Sequence, residues 1–373
     1  MPDLPPLTPL AASLPATVPF VGPEAQERIR GAPFRARLGA NENGFGPSPQ
    51  VAETIARHAA EMWKYGDPEN QELRQALARR LGVAVENVVV GEGIDGLLGL
   101  IVRLYAGPGS AVATSLGAYP TFNFHVAGFG ARLITVPYRD DREDLDALLD
   151  AARRESAALV YLSNPDNPMG TWWGAADILR FADNLPPATM LILDEAYGET
   201  APPSALPPVE AERPNMLRLR TFSKAYGLAG LRLGYAVGHR QAIRAFDKVR
   251  NHFGVNRMAQ AAGLVALEDQ AHLALNVARI AAARERIAAV AAAEGLKPLP
   301  SATNFVTVDC GDGGAFAARV LNALIERDVF VRKPMAPKLD RCIRISAGPE
   351  EELDLFASAL PDALAAARIE AAA

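Results

Sequence analysis

Between residues 86 and 238 short apolar runs alternate with stretches of helical spacing, and no other feature limits the possible folds of this chain as much. The runs are Val88–Val90, Ala111–Ser115, Arg132–Pro137, Ala158–Leu162, Met190–Asp194, Met216–Thr221 and Gly234–Val237. Apolar runs without a polar alternate suit strands buried on both faces of a sheet. Strand and helix in turn imply an α/β domain with a mostly parallel, seven-stranded sheet.

The flanks read differently. Residues 1–40 are expected to form an extended arm, because Pro2, Pro5, Pro6, Pro9, Pro15 and Pro19 break helices. Such an arm has little of its own to bury, so it is expected on a partner subunit. Helical spacing covers 48–63 and 69–81, with Gly82 as a stop. A long Ala/Arg helix is expected over 271–295, strands near 303–309 and 341–346, and helices near 314–327 and 349–368. A chain of 373 residues exceeds one small domain. The expected division is an arm and part of a small domain over 1–47, a large domain over 48–270 and a small α+β domain over 271–373.

Composition excludes several classes. Hydrophobic residues at 49% and charged residues at 22% describe a globular chain, and a formal charge of -5 gives no attraction to nucleic acid or an anionic membrane. The five histidines include no HExxH-type pair, so no metal site is expected. Two cysteines, Cys310 and Cys342, exclude a disulfide framework and fit a reducing compartment. Neither a signal peptide nor a spanning apolar run is read, and the expected location is cytoplasmic.

The chemistry concentrates just after the apolar runs. Lys224, in Thr221-Phe-Ser-Lys-Ala-Tyr-Gly, follows a buried strand, and burying an ammonium is costly unless it is paired or used. Desolvation lowers a lysine pKa and frees the amine to form an imine with an aldehyde cofactor. Ser223 and Arg232 supply a hydroxyl and a guanidinium for a phosphate. The plain alternative is a surface lysine with Arg232 in a salt bridge. Asp194 ends a strand expected to be central, where ligands of open α/β sheets sit, and can keep a pyridine nitrogen protonated; a helix-capping Asp is the alternative. Tyr197, three residues on, can reach a ring oxygen. In Ser163-Asn-Pro-Asp-Asn-Pro-Met-Gly170 two X-Pro steps can fix a turn that offers the Asn167 amide to the same oxygen.

Gly91-Glu-Gly-Ile-Asp-Gly96 lies between a strand and a helix, so Gly93 and the Ile94 and Asp95 amides can form an anion cradle. It also matches GxGxxG, but the acidic ribose reader of a dinucleotide site is absent around Ala111–Ala118. Tyr119 can stack on a ring. Arg344, in a strand with apolar neighbours, can clamp a carboxylate or phosphate.

Taken together these segments resemble fold-type I aminotransferases dependent on pyridoxal 5'-phosphate (PLP), and within them the histidinol-phosphate aminotransferase group, over about Leu38 to Gly348. Leu38-Gly-Ala-Asn-Glu-Asn43, Gly46-Pro-Ser-Pro49, Tyr65, Ser301-x-x-Asn-Phe305, Val331-Arg332 and Arg344 carry the second likeness. The resemblance implies that Lys224 carries the cofactor aldehyde, Asp194 pairs the ring nitrogen, and Tyr197 and Asn167 bond the ring oxygen. It also implies that Tyr119 stacks on the ring, while Ile94, Asp95, Ser223 and Arg232 hold its phosphate. Tyr65 would reach the phosphate of a neighbouring subunit in a homodimer with shared sites. Asn43, Phe45, Arg332 and Arg344 would face the substrates, an amino donor such as glutamate and a keto acceptor. Ile94 stands where the group has a serine, and Phe45 where it has a tyrosine that helps bind a substrate phosphate. The implied alternatives on this fold are an aromatic amino-acid aminotransferase and a decarboxylase of a phosphorylated amino acid.

Overall fold

The computed structural model describes residues 4–16 and 22–372. Two helices, α1 (Pro9–Ser13) and α2 (Pro23–Arg30), stand in the stretch expected to lack them. Each begins on a proline. At the first helical position the missing N–H is one that no helix can satisfy, and the fixed φ suits the turn. Thr8 caps α1, its side chain accepting from the Ala11 amide. Pro2 and Pro19 lie outside the described residues. The chain then passes through β1 (Ala36–Arg37) into α3 (Pro49–His58) and α4 (Gln71–Leu81). Gly82 ends α4 in the left-handed region, at φ 68°, as expected.

A seven-stranded sheet follows, formed by β2 (Val88–Gly91), β3 (Ala111–Ser115), β4 (Arg132–Val136), β5 (Leu159–Ser163), β6 (Met190–Asp194), β7 (Met216–Thr221) and β8 (Gly234–Gly238). Their spatial order is β2-β8-β7-β6-β5-β3-β4. Only β8 runs against its neighbours, so the sheet is mostly parallel. The connecting helices are α5 (Gly93–Tyr105), α6 (Pro120–Gly128), α7 (Leu145–Arg154), α8 (Ala175–Asn184) and α9 (Arg240–Ala245).

Alternate residues of one strand feed opposite cores. Leu159 and Tyr161 of β5 and Ile192 of β6 pack with Leu98 and Val102 of α5 and Phe122 of α6. Val160, Leu162, Leu191 and Leu193 pack on the other face with Leu148 of α7 and Phe181 of α8. Helices on both faces explain the uninterrupted apolar runs, each buried Leu or Ile contributing about 1.5–3 kcal/mol. β4 departs from the expectation of two buried faces: it is one of the sheet's two edge strands, and unlike β2 at the other edge only its Val136 is buried.

Beyond the sheet come α10 (Arg257–Glu268), which the sequence reading did not mark, and α11 (Gln270–Ala293). β9 (Lys297–Pro298), β10 (Phe305–Asp309), α12 (Gly313–Glu326), β11 (Val329–Phe330), β12 (Cys342–Ser346) and α13 (Glu350–Ala372) complete the chain. A separate core joins Ile287 of α11, Val308 of β10, Val320 of α12, Ile345 of β12 and Phe356 of α13 to Ala36 and Leu38. β1 pairs with β11, so the segment from Ala36 is tied to the C-terminal layer although it precedes the sheet in sequence. No helix among the described residues is long and apolar enough to cross a membrane.

Candidate active site

β3, β5, β6 and β7 run the same way, so their carboxyl ends share one edge of the sheet. β2 runs with them, because β8 reverses direction between β2 and β7. That edge carries Tyr119 after β3, Asn167 after β5, Asp194 and Tyr197 at and after β6, Lys224 after β7, and the start of α5 after β2. Ligand crevices of open α/β sheets form at such an edge. A cavity of about 310 Å³ lies there, lined by all of these residues together with Ile94, Asp95, Ser223 and Arg232. A larger cleft of about 420 Å³ beside β2 gathers Arg74, Arg240, Arg244 and Arg250 but none of the expected site residues.

Asp194 ends the fourth of seven strands and is buried. Its Oδ2 accepts from the Tyr161 hydroxyl at 2.7 Å and its Oδ1 from the Ala196 amide at 2.9 Å. Burial pushes this carboxyl up to about 6 against those two bonds, and no salt bridge reaches it among the described residues. A protonated ring nitrogen fits that need. Burial, reinforced by the charge of Arg344, pulls the Lys224 ammonium down to about 8. Its Nζ donates to the Asn41 carbonyl at 3.1 Å.

In the same cavity the donors for an anion converge. Gly93 opens α5 at φ 72°, and a Cβ there would stand 2.6 Å from Arg232 Nη2. The positive φ favours glycine, and its missing Cβ leaves room for the guanidinium as placed. Arg232 Nη1 donates to Ser223 Oγ at 3.3 Å, and Nη2 lies 3.6 Å from Asp95 Oδ2. The first-turn amides of α5 add their unsatisfied N–H groups.

Asn167 Oδ1 accepts from Arg344 Nη1 at 2.5 Å, which leaves the Asn167 amide hydrogens for the cavity. Arg344 is half-buried, its Nε has no hydrogen-bond partner among the described residues, and desolvation pulls its pKa down to about 10. β12 is an edge strand, but a backbone bridge to Arg332 covers it there. Arg332 and Arg344 are thus neighbours, though neither lines the cavity wall itself. Asn43 and Phe45 also stand outside that wall. The Asn43 amide donates to the Ala225 carbonyl at 3.0 Å and its Oδ1 accepts from the Phe45 amide at 3.1 Å, which staples this strap to the Lys224 loop. Phe45 packs on the C-terminal core, with the Arg279 guanidinium 5.9 Å from its ring centre. Tyr65 is 79% exposed, on Phe253, and does not line the cavity of its own chain.

Sequence reasoning passed over Asn41 and Tyr161. Asn41 Nδ2 donates to the Tyr197 hydroxyl at 3.0 Å, and its carbonyl receives Lys224. Its signal was a polar residue inside the segment already singled out, Leu38 to Asn43. Tyr161 was hidden in an apolar run, where a hydroxyl facing the next strand leaves no trace in the pattern.

The fold and cavity define a class: an α/β enzyme whose cavity joins a half-buried lysine of lowered pKa to a carboxylate and an anion cradle. Residues 36–360 match the family described as aminotransferase class I and II. The histidinol-phosphate aminotransferase of Roseiflexus castenholzii is 37% identical, over 95% of this chain and 97% of its own. The aromatic amino acid aminotransferase of Thermobifida fusca is 37% identical, over 86% and 88%. The crystal structure of the Sinorhizobium meliloti histidinol-phosphate aminotransferase in complex with pyridoxal-5'-phosphate superposes with a TM-score of 0.95 at 55% identity, covering 98% of this chain and 99% of that one. The chain belongs to the aminotransferase class I and II family, and its fold is the type I fold of these enzymes.

Proposed function

We propose that this aminotransferase holds PLP on Lys224 and moves an amino group between glutamate and imidazole-acetol phosphate, forming histidinol phosphate. The observation that carries the cofactor reading is the joint lining of one cavity by Asp194, Lys224 and the Arg232–Ser223–α5 cradle, which offers partners for a ring nitrogen, an aldehyde and a phosphate. When bound, the cationic ring supplies an electron sink for the pair released at the substrate Cα. Asp194 keeps the ring nitrogen protonated. Tyr197 and Asn167 donate to the ring oxygen, Tyr119 covers one ring face, and the first turn of α5 with Ser223 and Arg232 holds the phosphate. Once its amine is free, Lys224 takes the Cα proton and returns it one carbon away, as general base and then general acid. Arg344 fixes the substrate carboxylate, or a phosphate in its place. Arg332, beside it, adds a second cation, and Asn43 and Phe45 shape the strap over the substrate.

The dimer reading rests on exposed apolar side chains. Met62, Trp63, Tyr65 and Phe253 are each at least half exposed in one chain. Pairing two copies there would bring Tyr65 to the partner's phosphate cradle. The separate cores support a large domain over 48–270 and a small one over 271–373 that also takes in part of 1–47. The unpaired, buried Cys310 and Cys342 support a cytoplasmic location.

The test is a parallel assay with glutamate as donor and imidazole-acetol phosphate or phenylpyruvate as acceptor. A higher kcat/KM for the phosphorylated acceptor supports the proposal. A preference for phenylpyruvate would favour the second reading, an aromatic aminotransferase, for which Phe45 and the Thermobifida relative speak. Borohydride treatment should fix a pyridoxyl group on Lys224.

A further inference from the structure

We infer that Asn41 and Ser346 are positioning residues that set the direction of the Tyr197 hydroxyl, so that its proton is presented to the cavity. The inference rests on the cofactor reading above and deepens it. A phenol donates one hydrogen and accepts others. The Tyr197 oxygen accepts from Asn41 Nδ2 at 3.0 Å, and no acceptor among the described residues receives its hydrogen. Tyr197 lines the cavity, so that hydrogen faces an acceptor bound there.

The two ends of an amide have the same shape, so its neighbours must choose the orientation. Ser346 does this. Its Oγ accepts from the Asn41 backbone N–H at 3.0 Å and donates to Asn41 Oδ1 at 3.1 Å. That closed ring turns the NH2 end of the amide toward Tyr197. The reversed amide would leave Tyr197 donating to Asn41 and its proton lost to the cavity.

The backbone of Asn41 adds a second link. It sits at φ 56°, a left-handed conformation that Asn tolerates. So placed, its carbonyl accepts from Asn304 Nδ2 at 2.9 Å as well as from Lys224. Glycine alone would serve the conformation; the side chain is needed only for the bonds to Ser346 and Tyr197. Ser346 lies two residues past Arg344 on the same face of β12, so the substrate clamp and the Tyr197 orientation share one rigid strand.

The test compares Asn41→Gly, Asn41→Asp, Ser346→Ala, Tyr197→Phe and the Asn41→Gly/Tyr197→Phe double variant with the wild type. The readout is the pH midpoint of the visible absorbance of each PLP-loaded protein, with thermal melting of the cofactor-free forms as the folding control. A donor to the ring oxygen stabilises its anionic form, so losing that donor raises the midpoint. Asn41→Gly keeps the backbone and should raise the midpoint by about one unit, the order of one hydrogen bond to a charged oxygen. Asn41→Asp makes the donor an acceptor and should raise it at least as far; Ser346→Ala should raise it less. The double variant should match Tyr197→Phe alone, because both changes act through one hydroxyl. A wild-type midpoint in Asn41→Gly, or additive shifts in the double variant, overturns the inference. If borohydride fixes no pyridoxyl group on wild-type Lys224, the cofactor reading falls and this inference with it; a fixed group with an unmoved midpoint sinks this inference alone.

Discussion

The two sides of the cavity are built by different means. On the sheet side, Asp194, Asn167 and Lys224 follow parallel strands, and strand register places them. On the strap side, the segment from Gly39 to Phe45 has no regular structure and is placed by side-chain bonds to distant residues, Asn41 to Ser346 across 305 positions among them. The sheet side also has a buried brace: Glu195 accepts from Arg218 at 2.7 and 3.0 Å and from Arg220 at 3.0 Å. Register is a collective property and resists single changes, whereas each strap contact is one or two bonds deep. Changes on the sheet side should therefore stop chemistry or weaken the fold, and changes on the strap side should tune affinity and specificity.

The largest effect should come from Lys224→Ala, which under the proposed function removes both the cofactor link and the proton carrier. Turnover should fall by at least the roughly 10²–10⁴-fold that general acid–base catalysis is worth, measured with saturating glutamate. Glu195→Gln should leave buried Arg218 without a carboxylate and Arg220 with Glu199 alone, and destabilise the protein by roughly 3–5 kcal/mol, read by denaturant unfolding. If it leaves stability unchanged, the brace is not what distinguishes the sheet side. Across the cavity, Arg344→Lys keeps a charge but loses the fork. The KM for glutamate should rise on the order of tenfold or more with a smaller change in kcat, in steady-state assays.

A pH profile sharpens the comparison on the sheet side. The Lys224 amine is held down to about 8 from its ordinary 10.5, so its neutral, nucleophilic fraction grows as pH rises through about 8 and is nearly complete above it. Capture of added PLP by the cofactor-free protein should accelerate up to that pH and then level off. A profile still climbing steeply at pH 10 would mean that burial does not act on this lysine. The mildest effect is expected from Tyr65→Phe, a loss of one hydroxyl outside the cavity of its own chain. If Tyr65 serves the proposed dimer, PLP affinity should drop several-fold by equilibrium dialysis while sedimentation shows the same assembly state as the wild type.

The sheet side was also the more legible one. Polar residues standing right after apolar runs could be assigned to strand ends, and parallel strands bring such ends together whatever their sequence separation. The strap stands out as a motif in the sequence, yet the resemblance points to Asn43 and not to Asn41. In the fold the Asn43 amide secures the loop at Ala225, and Asn41 touches both Lys224 and Tyr197. Nothing in the local pattern separates two asparagines two residues apart. The prolines of the first 40 residues misled for a related reason: a proline breaks a helix from inside but starts one well, and only the surrounding turns decide which.

Local order thus determined the strands, the character of the sheet and the identity of the lysine, carboxylate and cradle, because burial on two faces and chemistry at strand ends are written in neighbouring residues. Tertiary structure alone decided which face Tyr161 turned to, which strand became an exposed edge, and how Asn41 came to lie between Ser346 and Tyr197. Those outcomes depend on contacts between segments hundreds of residues apart, and a hydrogen bond's partner is not a property of either residue by itself.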